Sequence, residues 1–158
     1  MPNKLAYLTY HSYTQFIIYP YSSSYAAEAH NKVELKNLAA KMSDSIRSVY
    51  GKTYDYGEGA PAFYPASGGS DDWSHLSGID ISYTIELRDT GFYGFALPES
   101  QIKPTALENI EGIRDVYDHV RPSGFPCKQA VCLATKPNSE CKYSLGVYKH
   151  LPAGINYD

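Results

Sequence analysis

Three side chains in this sequence sit where their type and surroundings allow chemistry: His11, Glu86 and Tyr64. His11 directly follows Leu5–Tyr10, an apolar and aromatic run that reads as a buried strand. A histidine at the end of a strand in an α/β fold stands where such folds open their ligand crevices. The alternative is a histidine that is merely packed and hydrogen-bonded. Glu86 interrupts a second strand-forming run, SYTIELRDTG, among Tyr83, Thr84, Ile85 and Leu87. A carboxylate there is costly unless it is paired or given work. Arg88 shares its strand face and offers an ion pair as the plain explanation. Tyr64 belongs to the loop AFYPASGG. Gly68 and Gly69 would let that loop swing, and glycines serve ordinary turns equally well.

The elements that must hold these residues follow from periodicity. Leu35, Leu38, Met42, Ile46 and Val49 recur at three- and four-residue steps and predict an amphipathic helix stopped by Gly51. Lys52–Ala66 reads as a short strand and a long loop. GGSDDWSHLSG predicts a small helix, with Ser70 as its cap, Asp71 and Asp72 in its first turn and Gly78 at its end. Ile79–Leu87 is the second buried strand. Pro104 opens a further helix whose expected buried stripe is Leu107, Ile110, Ile113, Tyr117 and Val120, closed by Pro122. Strands alternating with helices indicate α/β. The apolar character of the strands at Leu5 and Ile79 predicts cover on both faces.

A chain of 158 residues is long enough for one domain with a real core. A net charge of -3 argues against a nucleic-acid surface, and no apolar run approaches a membrane span. The first residues, MPNKLAYLTYH, carry no signal-peptide pattern. Sixteen tyrosines against five phenylalanines point to half-wet packing near a large cleft. From Ser123 onward periodicity stops, and 123–158 reads as an irregular tail carrying Cys127, Cys132 and Cys141. Those cysteines lack a C-x-x-C pair, and their odd number implies a free thiol or an outside partner.

Three separated stretches, HSYTQFIIYPY (11–21), YPASGGSDDW (64–73) and ELRDTGFYGFALPESQI (86–102), resemble the zinc metallocarboxypeptidases of the pancreatic A/B type in order and spacing. The resemblance spans about Leu5–Val120, so residues 1–122 are expected to be the C-terminal half of a catalytic domain. It implies part of a mixed β-sheet with helices on both faces, incomplete here. It also implies a Zn2+ cofactor, with His11 as one metal ligand and Glu86 as general base. Ser12, Tyr13 and Phe95 would line the peptide subsite, and Tyr64 would close over bound substrate. Asp71 would sit at the base of the pocket for the substrate's last side chain, where an acid goes with Lys and Arg. Cis peptides are implied at Ser12–Tyr13, Pro20–Tyr21 and Arg88–Asp89. The family's other two zinc ligands form an H-x-x-E pair earlier in its chain. None of His11, His30, His75, His119 and His150 has a glutamate three residues on. The partner expected from the resemblance is therefore the missing N-terminal half, together with peptide or protein C-termini as substrate, in a secreted, extracellular setting. A non-catalytic peptide-binding module and an extracellular interaction protein whose cysteine-bearing tail does the work stand as the alternatives.

Overall fold

The computed structural model describes residues 5–121. The proposed tail at 123–158 and its three cysteines lie outside the described residues. Four strands, β1 (Ala6–Ser12), β2 (Phe16–Tyr19), β3 (Asp55–Glu58) and β4 (Ile81–Leu87), form one mixed sheet in the order β1-β4-β2-β3. β1 runs parallel to β4 and β2 parallel to β3, while β2 and β4 are antiparallel. Two long helices, α1 (Lys32–Tyr50) and α4 (Ile102–Val120), pack against each other. Two short ones, α2 (Gly59–Ala62) and α3 (Ser70–Leu76), precede β4. The expected α/β class and mixed sheet are present.

Leu35, Leu38, Met42 and Ile46 of α1 are buried as their spacing requires, against Ile17, Tyr54, Ile81, Tyr83 and Ile85. Gly51 ends α1 in the left-handed region at φ 74°, and its N–H donates to the Arg47 carbonyl. A side chain with a β-carbon would be strained there. All three expected cis peptides are found.

Four expectations need correction. β1 is not covered on both faces: Ala6–Thr9 are only half-buried and Tyr10, His11 and Ser12 are exposed. Four residues, Phe16–Tyr19, form a strand of their own in a stretch not read as one. Ser70 does not cap α3, because it is already the first helical residue and Gly69 takes the cap position without a side-chain bond. The largest correction concerns α4. Ile110, Ile113 and Tyr117, expected inside, are 40%, 41% and 49% exposed. Thr105, Glu108, Asn109, Gly112, Asp115 and Val116 are buried instead. Apolar spacing marks a face that prefers cover, but buried Arg88 and Tyr54 need partners that only the polar face supplies. Gly112 fits that packing, since a β-carbon there would stand 3.2 Å from Ile46 Cδ1.

Candidate active site

The parallel pairing of β1 with β4 decides the centre of the site. Its register sets His11 opposite Glu86 and Ser12 opposite Leu87. Two residues 75 positions apart thereby become lateral neighbours at the C-terminal ends of adjacent strands. The Thr9 hydroxyl lies 3.2 Å from His11 Nε2 and holds the exposed ring. Glu86 is half-buried. Burial pushes its carboxyl above the usual carboxylate range, and the nearby His11 pulls it partly back.

Arg88 does not neutralise Glu86. Its guanidinium is buried and turns to α4, where Nε donates to Glu108 Oε1 at 2.8 Å and a second nitrogen pairs with Oε2. The Glu108 side chain is fully buried, and it also accepts from the Tyr54 hydroxyl at 3.0 Å. Asn109 completes this network with a 3.1 Å bond to the Tyr54 oxygen. The plain explanation of Glu86 therefore fails: its neighbour's charge is spent on another element.

After Ser12 the chain turns through Tyr13, whose ring meets Phe95 edge-on with centroids 5.0 Å apart. The loop bearing Phe95 is folded by Asp89. Its carboxylate accepts N–H bonds from Gly91, Tyr93 and Gly94 at 3.0, 2.7 and 3.0 Å. These bonds, that from Tyr93 foremost, hold the Asp89 carboxyl below its ordinary range. Gly94 has φ 57°, and a β-carbon there would come within 3.3 Å of the Tyr13 ring.

The two adjacent acids of α3 have different surroundings. Asp71 is 3% exposed, and its Oδ2 has no hydrogen-bond partner among the described residues. Burial raises its carboxyl above the ordinary range, and the charge of Asp72 raises it further. Gly69 gives it room, because a β-carbon there would stand 2.8 Å from Asp71 Oδ1. Asp72 is satisfied: its carboxylate accepts the N–H groups of Ser22 and Ser23 at 2.9 Å each. The expected place of Asp72 in the helix's first turn holds, and this long-range contact is one of which a first-turn acid gives no local sign. Tyr64 is exposed in the loop between α2 and α3, with its ring centroid 6.3 Å from that of Phe63. The structure thus joins His11 with Glu86 and Tyr13 with Phe95. Tyr64 makes no hydrogen bond or ring contact with any of them.

The sequence profile of the family described as "Zinc carboxypeptidase" matches residues 2–112. The chain belongs to the zinc carboxypeptidase family. It is 53% identical to carboxypeptidase B of Bos taurus over 115 residues, which is 73% of this chain and 27% of that protein. It is 46% identical to bovine carboxypeptidase A1 over 117 residues, 74% of this chain and 28% of that protein. Its fold is similar to bovine thrombin-activatable fibrinolysis inhibitor solved with tick carboxypeptidase inhibitor. That likeness has TM-score 0.71 and 40% identity and covers 73% of this chain and 39% of the solved one. The chain thus spans about a quarter of the length of the curated relatives it matches.

The family name implies zinc. A catalytic zinc site takes three protein ligands and leaves one position open. Among the described residues no three His, Cys, Asp or Glu side chains converge. His11 is a single donor, so the residues present do not fit the ion by themselves.

Proposed function

We propose that this chain is part of a zinc-dependent metallocarboxypeptidase that releases C-terminal Lys or Arg from peptides and proteins. The observation that carries the reading is the pairing of His11 with Glu86, whose proton affinity is raised by burial and left uncompensated by Arg88. A carboxylate shifted toward neutrality suits a general base that takes a proton from the attacking water and returns it to the leaving amine nitrogen. His11 serves as one zinc ligand in the whole protein. The other ligands come from polypeptide that the relatives have and this chain does not span. Ser12, Tyr13 and Phe95 line the path of the substrate chain, and Tyr64 closes over it. Peptide and protein C-termini are the partners, and the family resemblance favours an extracellular setting.

Asp71 supports the basic preference. A buried carboxylate with a bare oxygen is suited to an ammonium or guanidinium. It would leave an apolar side chain facing a desolvated, unpaired charge, which discriminates against that substrate. The test is a peptidase assay on the product of the full transcript with peptides ending in Arg, Lys, Phe or Leu. Asp71→Ala should lower kcat/KM for the basic substrates at least roughly tenfold and leave or raise it for the apolar ones. A parent enzyme that prefers Phe or Leu would overturn the specificity. A non-catalytic peptide-binding module is the second reading, favoured by the lone His11 donor. An in-frame H-x-x-E segment upstream of Met1 decides against it.

A further inference from the structure

We infer that Asp72 is a positioning residue: its carboxylate, acting through Ser22, ties the segment Tyr21–Ser23 to the base of the loop that carries Tyr64. Three segments distant in sequence meet at Ser22. From α3, Asp72 accepts the Ser22 N–H at 2.9 Å through Oδ1 and 3.1 Å through Oδ2, and the Ser23 N–H at 2.9 Å. Asp72 is 5% exposed, so these bonds are shielded from water. On its other side, the Ser22 carbonyl accepts the Ala66 N–H at 2.7 Å, and the Tyr21 carbonyl accepts the Ala60 N–H at 3.0 Å. Tyr64 therefore hangs between two anchors, at Ala60 and Ala66, that both end on Tyr21–Ser22.

Gly59 closes the arrangement from the third direction. A β-carbon there would stand 1.8 Å from Ser22 Oγ and 2.8 Å from Ser22 Cα. Some of that contact is with backbone, so a larger residue would push Ser22 off Asp72 rather than merely turn its hydroxyl. Asp71 and Asp72 are consecutive on α3 and project about 100° apart. The acid with the bare oxygen and the loop bearing Tyr64 are thus fastened to one another through Asp72 and Ser22. That this loop closes over substrate rests on the proposed function. The anchoring itself does not.

Amide hydrogen exchange on the full chain, resolved by residue, tests the inference without any catalytic readout. Asp72→Ala should speed exchange at Ser22, Ser23 and Ala66 by roughly tenfold or more, with the Tyr83 and Ile85 amides unchanged. Asp72→Asn keeps one acceptor oxygen and should fall between the parent and the alanine variant. Ser22→Ala should change none of these amides, because the anchor runs through backbone groups. With 3-fluorotyrosine incorporated and the Tyr64 resonance assigned by Tyr64→Phe, the 19F signal should shift or sharpen in Asp72→Asn and stay in place in Ser22→Ala. Faster exchange at Ser22 and Ser23 with Ala66 unaffected would overturn the inference. So would an effect confined to the Trp73 and Ser77 amides, which is what a helix-turn role predicts. If Asp72→Ala loosens the whole core, Gly59→Ala replaces it: Asp72 stays, Ser22 is displaced, and the same three amides must respond or the inference fails. A positive exchange result beside a failed peptidase assay would sink the proposed function alone.

Discussion

Asp71→Asn should make this fold more stable at neutral pH, and the gain should vanish on acidification. Asp71 is 3% exposed, its Oδ2 has no hydrogen-bond partner among the described residues, and Asp72 stands next to it with a second carboxylate. Ionised Asp71 bears two costs: a charge taken out of water and repulsion from its neighbour. The amide removes both. It introduces a neutral N–H2 that is itself unsatisfied, at about 1–3 kcal/mol. The effective penalty of a buried ion is several kcal/mol, so the net gain at pH 7 is about 1–2 kcal/mol. That is a rise in Tm of roughly 3–8 °C for a domain of this size. The sign with pH follows from the direction of the shift. Folding raises the proton affinity of Asp71, so between the unfolded value near ~3.9 and the higher folded value the native state binds more protons. The parent therefore loses stability as pH rises through that window. Below it Asp71 is protonated in both states and the cost is absent. Urea denaturation of parent and variant at pH 7 and at about pH 3.5 measures the difference directly. A gap that is the same at both pH values would refute an origin in charge. A less stable Asn variant at pH 7 would mean that Asp71 has a partner that satisfies its charge.

Arg88→Met and Glu108→Gln should each destabilise by about 3–5 kcal/mol, since each leaves a buried group without its partner. The double variant should cost clearly less than the sum, and a denaturant double-mutant cycle that is additive would contradict the pairing. Exposed Ile110, Ile113 and Tyr117 on α4 and the open edge of β1 should make the isolated chain associate. Ile110→Lys with Ile113→Lys should lower its apparent mass in light scattering, and a parent that is already monomeric with a sharp thermal transition would argue against this. Equilibrium dialysis with metal analysis should find no tight one-to-one zinc complex for this chain, because one histidine cannot hold the ion that needs three protein ligands. A tight complex would point to ligands beyond the described residues.

Much of the architecture is legible in local patterns. The α1 stripe at Leu35, Leu38, Met42 and Ile46 and the Gly51 stop are set by helical period and by the conformational freedom of glycine, which depend on near neighbours alone. The three motifs at 11–21, 64–73 and 86–102 carry the family resemblance by their order and spacing alone, because long matched spacings are specific. Which partner a polar group finds is not local. Arg88 could have met Glu86 by strand alternation, and the packing of α4 gave it Glu108 instead. The polar face of α4 supplies Glu108 and Asn109 to buried Arg88 and Tyr54, while Ile110 and Ile113 stay exposed and line an apolar cavity with Leu87 and Phe95. Asp71 and Asp72 are identical in sequence terms. Only the arrival of Ser22 and Ser23 from 50 and 49 residues away satisfied one and left the other with a bare oxygen among the described residues. Periodicity reports which surfaces prefer burial. The tertiary structure decides which polar groups are satisfied there, since a buried charge without a partner costs more than an exposed isoleucine.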